Sequence, residues 1–102
     1  MLITAPAESA GRIARALVEG GLAACVNIVP GLTSIYRWRG KVEESSEVLL
    51  VAKTTSGAVG RLIDAVRGLH PYEVPEIVSI EVAEGFPEYL RWISESVPRV
   101  DD

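Results

Sequence analysis

Five apolar residues run without a break from Val48 to Ala52, VLLVA, and they constrain the fold more than any other stretch of the chain. The run is preceded from Lys41 onward by residues that are polar except for Val42, and is followed by Lys53, Thr54 and Thr55. It reads as the buried half of a strand that extends from Lys41 to about Thr54. Side chains alternate across a strand, so Val48, Leu50 and Ala52 point one way while Leu49 and Val51 point the other. A strand that is apolar on both faces needs cover on both. Helices can supply one cover, and the second must come either from the end of the chain folding back or from another subunit.

The flanking elements follow from the same kind of pattern. Leu22 to Trp38 is rich in β-branched and aromatic residues, with Pro30-Gly31 midway. Proline cannot donate to a ladder, so the pattern predicts one long bent strand with a bulge or an edge position at that point. Arg39-Gly40 makes the turn into the return strand. It lacks the Asn-Gly signature of a type I′ hairpin, which predicts positive φ at Gly40 alone.

Ahead of this hairpin, Leu2-Ile3-Thr4 reads as a short strand. A helix follows, opened by Pro6, with Ala10, Ile13, Ala14, Leu17 and Val18 as its apolar stripe and Gly20-Gly21 as its stop. Beyond the hairpin, Ser56 is a candidate cap for a second helix bearing Val59, Leu62, Ile63, Val66 and Leu69. Pro71 ends it by excluding helical geometry at His70. Ile77 to Val82 alternates as a half-buried strand, and Pro87 opens a last helix carrying Tyr89, Leu90, Trp92, Ile93 and Val97. The order is β-α-β-β-α-β plus a terminal helix, an α+β, ferredoxin-like sandwich in one domain over residues 1–102.

Composition matters here for what it excludes. A formal charge of −4 provides no basic stripe, so nucleic acid is not an expected partner. No apolar run is long enough to span a bilayer, so no membrane partner is expected. Ala5-Pro6-Ala7 has the look of a cleavage site without the cationic and apolar segments of a secretory leader. With Cys25 as the single cysteine, this points to a cytoplasmic, reducing setting. Gln is absent, Asn27 is the only Asn, and eight Arg stand against two Lys, a bias shared by thermophilic proteins and GC-rich genomes. A domain of this size buries proportionally little surface, which favours assembly.

Candidate chemistry is sparse. His70 is the only histidine, and as a helix terminus before Pro71 it reads either as a structural corner or as a metal ligand without a local mate. Cys25 reads as a small buried hydrophobe or, next to a cation or metal, as a thiolate. Asn27 shares its strand face. Tyr36 and Trp38 share one face of the long strand, with Ile35, Arg37 and Arg39 on the other. The arginines are candidates for cross-strand pairing with Glu43 and Glu44. Lys53 ends the apolar run and needs a carboxylate, for which Glu76 is a candidate. No nucleophile elbow, P-loop, dinucleotide fingerprint or zincin motif occurs, so no enzymatic activity is expected.

LAACVNIVPGLTSIYRWRGK, then EVLLVAKTT, then HPYEVPEI, closely resemble the CutA1 family of divalent-cation tolerance proteins, and the similarity runs from LITAP to YLRWI. The resemblance implies a homotrimer of ferredoxin-like protomers whose long hairpins extend sheets between subunits, an assembly similar to that of the PII signalling proteins. It implies a non-enzymatic role in divalent-cation, notably copper, tolerance or response. Family members with a proposed copper site use a first-strand cysteine and a His-His pair. Here those positions hold Ile3 and Leu69-His70, so His70 is the one expected ligand, and one imidazole alone makes a weak site. Motif matching places Cys25, Asn27, Tyr36, Trp38, Lys53, Tyr72, Pro75 and Glu76 in an intersubunit cleft, as ligand contacts or as interface. A PII-like sensor binding an anionic small molecule there, with Lys53 essential, is the alternative function.

Overall fold

The computed structural model describes residues 1–99; the last three residues of the expected domain lie outside the described residues. The elements are β1 (Leu2–Ala5), α1 (Ala7–Glu19), β2 (Cys25–Trp38), β3 (Lys41–Lys53), a 3-10 turn (Ser56–Ala58), α2 (Val59–Leu69), β4 (Ile77–Val78) and α3 (Pro87–Ser96). The strands form one antiparallel sheet in the order β2-β3-β1-β4. This is the expected ferredoxin-like α+β arrangement, with both central strands flanked and β2 and β4 at the edges.

The two-faced apolar run behaves as its alternation requires. Val48, Leu50 and Ala52 join Ile3 and Ala5 beneath the helices, where Leu50 and Ile3 are fully buried. From above, α1 contributes Ala10, Ile13, Ala14 and Leu17, and α2 contributes Leu62 and Val66. Burying each of the larger side chains contributes roughly 1.5–3 kcal/mol, so this one layer supplies most of what holds the domain together. Val18, expected in the α1 stripe, turns to solvent instead.

On the opposite face Leu2, Leu49 and Val51 are only half-buried. The terminal helix covers part of it. Ile93 and Val97 are buried, and a Cβ on Gly21 would come within 3.3 Å of the Pro98 ring. A cavity of about 430 Å³ remains between Leu2, Val51 and Lys53 on the sheet and Leu90 and Ile93 on α3.

Three local expectations are corrected. The hairpin turn has both Arg39 (φ 50°) and Gly40 (φ 80°) in the left-handed region, because a two-residue loop between Trp38 and Lys41 must match the right-handed strand twist. Ser56 does not cap α2: it lies inside the 3-10 turn, which makes no side-chain cap hydrogen bond. The expected strand from Ile77 to Val82 forms only at Ile77–Val78, which pair with Ile3 and Leu2. Ser79 onward runs past the first residue of β1 and meets no strand. Both alternatives at Pro30-Gly31 are realised: β2 is an edge strand, and the β2–β3 register shifts between Val29 and Leu32, with Gly31 at φ 80°.

Candidate functional site

The 70–76 segment rounds the end of β1 and faces the distal arm of the hairpin. His70 terminates α2: its backbone N–H still donates to the Val66 carbonyl at 2.8 Å, but its ψ of 136° is extended, as Pro71 demands. The ring is buried and both nitrogens are engaged. Nε2 lies 2.7 Å from the Thr4 carbonyl, and Nδ1 accepts from the Tyr72 backbone N–H at 3.1 Å. A carbonyl acceptor requires the proton on Nε2, and a peptide donor requires a lone pair on Nδ1. This pairing uses the tautomer with its proton on Nε2 and leaves Nδ1 as the acceptor.

Tyr72 stacks tilted on His70, with ring centroids 4.7 Å apart. Its phenol reaches across to β3, where it meets Glu47. Burial first, then the hydrogen bond to and the charge of Glu47, push the Tyr72 hydroxyl up to about 12. Glu47 is itself only 6% exposed. It shares a face with Ser45, while across the ladder Ser34 and Tyr36 lie opposite Ser45 and Glu43. The Tyr36 and Ser45 hydroxyls are 2.8 Å apart. At the mouth, Arg39 joins Glu73 at 3.1 Å and lies 5.3 Å from the centroid of the Trp38 ring. Tyr36, Trp38, Ser45, Glu47, Tyr72 and Glu73 wall a cleft of about 880 Å³, closed on its loop side by Pro71, Val74, Pro75 and Glu76.

The expected site residues therefore fall into two groups within one chain. Tyr36, Trp38, Tyr72 and Glu76 border this cleft with His70 behind it. Cys25, Asn27 and Lys53 sit at the other end of the sheet. Here Lys53 donates to the Asn27 side-chain oxygen and lies 3.8 Å from Cys25 Sγ. The Tyr89 phenol of α3 approaches the same sulfur, and burial followed by that thiol raises its pKa. The expected Lys53–Glu76 pair does not form. The register puts Glu76 one step beyond the Ile3–Ile77 pair, beside the end of β1, while Lys53 lies four positions past Leu49, roughly 13 Å along the strands. Nor do the arginines pair across the hairpin: Ile35 and Tyr36 stand opposite Glu44 and Glu43, Arg37 faces Val42, and Arg39 turns to Glu73 instead.

Glu47 is the residue that sequence reasoning missed. Its signal was its phase: it immediately precedes the apolar run and shares the alternation of Leu49 and Val51, the face predicted to need cover. Among the described residues no group of three His, Cys, Asp or Glu side chains could hold a metal ion, and no helix is long and apolar enough to cross a membrane.

Fold and cleft together define a small ferredoxin-like α+β domain with a ligand-sized depression between its hairpin arm and its 70–76 loop. Residues 1–96 match the family model described as CutA1 divalent ion tolerance protein. The divalent-cation tolerance protein CutA of Thermus thermophilus is 60% identical over 97 residues, which span 94% of each chain. A solved structure of the divalent cation tolerance protein from Thermus thermophilus superposes with a TM-score of 0.93 at 59% identity, covering 95% of both chains. A PII-like protein CutA from Nostoc sp. PCC 7120, solved in apo form, superposes with a TM-score of 0.90 at 40% identity, covering 97% of this chain and 96% of the other. The chain belongs to the CutA1 divalent-cation tolerance family.

Proposed function

We propose that this protein serves divalent-cation response without catalysis, as a cytoplasmic homotrimer that binds copper or a similar ion weakly through His70. The observation that carries the metal reading is the way the imidazole is held. Metal-ligating histidines commonly donate one ring N–H to a backbone carbonyl, which orients the other nitrogen's lone pair. His70 has this arrangement, with Nε2 on Thr4 and Nδ1 towards Tyr72. An ion at Nδ1 has to displace the Tyr72 N–H and finds no ready set of three donors among the described residues. Weak affinity follows.

Isothermal titration with Cu²⁺ on the wild type and on His70→Ala tests this. The wild type is expected to show a weak exothermic site that the variant lacks; identical heats would remove His70 from the account.

The open half of the sheet and the unpaired segment after β4 support assembly, and a second copy is what would unite the Cys25–Asn27–Lys53 group with a neighbour's Tyr72 cleft. The 880 Å³ cleft favours a second reading, a PII-like sensor of a small molecule. In a single chain Lys53 lies outside that cleft and is already engaged by Asn27, so it is not the group within the cleft that would select the ligand.

A further inference from the structure

We propose that Glu47 of one copy and Lys53 of the next form an ion pair across the subunit boundary, so that copies join head to tail and the cleft is complete only in the assembly. The inference rests on the homotrimer proposed above and supplies the contact that closes it. Glu47, Leu49, Val51 and Lys53 occupy alternate positions of β3 and share the face turned away from the buried core. That face carries an acid at one end, a base at the other and half-buried apolar side chains between them. Neither charge is matched within the chain. Glu47 is 6% exposed, lines the cleft and meets the Tyr72 phenol, yet no cation pairs with it among the described residues. The guanidinium at the mouth, Arg39, is already held by Glu73 at 3.1 Å. Lys53 donates to the neutral Asn27 side chain and lies 3.8 Å from Cys25 Sγ, with no carboxylate partner among the described residues. Six positions of extended chain, roughly 20 Å, keep the two charges from meeting inside one copy. A buried charge without its partner is costly to hold, and a second copy supplies both partners at once.

The same face fixes how the copies meet. The terminal helix α3 lies over the Lys53 end, where Leu90 and Ile93 line one cavity with Val51 and Lys53, so two such faces cannot lie flat on each other. The Glu47 end is open by contrast, and its cleft of about 880 Å³ admits a lysine side chain from outside. Lys53 also adjoins the unpaired apolar segment after β4, since the exposed Ile80 and Val82 line its cavity. One end of each copy thus offers an ammonium flanked by exposed apolar side chains, and the other offers a recessed carboxylate. Unlike surfaces that meet head to tail close into a ring, not a two-fold dimer.

Sedimentation equilibrium on the wild type, Glu47→Gln, Lys53→Met and the double variant tests this. The wild type is expected to be a trimer. Each single substitution should weaken association about tenfold or more, because it leaves the other charge buried and unpaired. The double variant should weaken it by less than the product of the two single factors, a coupling that sites roughly 20 Å apart in one chain would not show. Lys53→Arg, which keeps the charge, should associate more tightly than Lys53→Met, and this comparison serves if Glu47→Gln does not fold. A monomeric wild type would end both the trimer and the pair. A two-fold dimer would end the head-to-tail contact. A trimeric wild type in which the single factors multiply, or in which Lys53→Arg and Lys53→Met lose association equally, would leave the trimer standing and overturn the pair.

Discussion

At the scale of single residues, the Tyr72 phenol carries a pH dependence whose sign is settled by its surroundings. Burial and the Glu47 carboxylate raise its pKa from the ordinary 10.0 to about 12 in the folded chain. A group whose folded pKa lies above its unfolded value gives stability that is complete below the unfolded pKa and is lost as pH rises through the folded one. Wild-type stability should therefore decline between about pH 10 and 12, and Tyr72→Phe should decline less across the same window. Denaturant melts at stepped alkaline pH check this, and parallel slopes for the two proteins would remove the Tyr72–Glu47 contact from the account. The size of the effect is held down because the ring is more than a third exposed. The same contact marks the limit of what was legible in the site. His70, Tyr72, Tyr36 and Trp38 stood out as residue types, but Glu47 did not, since a glutamate before an apolar run looks like any solvated strand end. Its burial depends on the 70–76 loop closing over it, a contact between residues far apart in sequence that no local pattern encodes. The Lys53–Glu76 pairing failed for the converse reason: two plausible partners were matched by charge, and strand register then held them apart.

At the scale of elements, the β2–β3 hairpin concentrates the backbone cost of the fold. Its bulge needs Gly31 at φ 80°, and a Cβ built there would meet nothing within 4 Å. Gly31→Ala therefore isolates the conformational penalty of a left-handed residue, free of steric clash. It should lower unfolding free energy by about 1–2 kcal/mol in a urea melt, with an unchanged far-ultraviolet spectrum. A neutral substitution would mean that the bulge relaxes and that Gly31 does not hold it. The elements themselves were readable because their periodicities were clean: the α1 and α2 stripes, the Pro30-Gly31 break and the stop at Pro71 all rest on local stereochemistry. The Arg39-Gly40 turn was misjudged because residue preference was weighed above loop length, whereas the two-residue connection leaves little choice of geometry. Arg39 tolerates its φ of 50° while its side chain lies against Trp38 and reaches Glu73. The alternation from Ile77 to Val82 was read correctly as strand-like, but alternation does not say whether a partner strand exists within the same chain.

At the scale of the whole molecule, that unpaired alternation bears on assembly. Val78, Ile80, Val82 and Phe86 are 46%, 63%, 69% and 66% exposed, on a segment continuing from an edge strand. Free sheet edges with apolar side chains are rare on soluble proteins because they recruit other chains. The half-buried Leu49 and Val51 leave the sheet's second face incompletely covered as well, with α3 lying only over the Leu2–Val51–Lys53 end. Both deficits are met at once if copies of the chain pair through this edge, which is the homotrimer proposed above. Sedimentation equilibrium at micromolar concentration should then give three times the protomer mass. The paired substitution Ile80→Lys with Val82→Lys should shift the protein towards monomer while circular dichroism keeps the helical signal, since neither side chain contributes to the buried core. The melting temperature should fall and become concentration-dependent, because a partner that binds only the folded chain stabilises it by mass action. A wild-type protein that sediments as a stable monomer would sink the trimer and leave the edge to be explained by another partner. A double variant that stays trimeric would move the interface off this edge and onto the hairpin arm, whose Ile35 and Val42 are also large apolar side chains facing water.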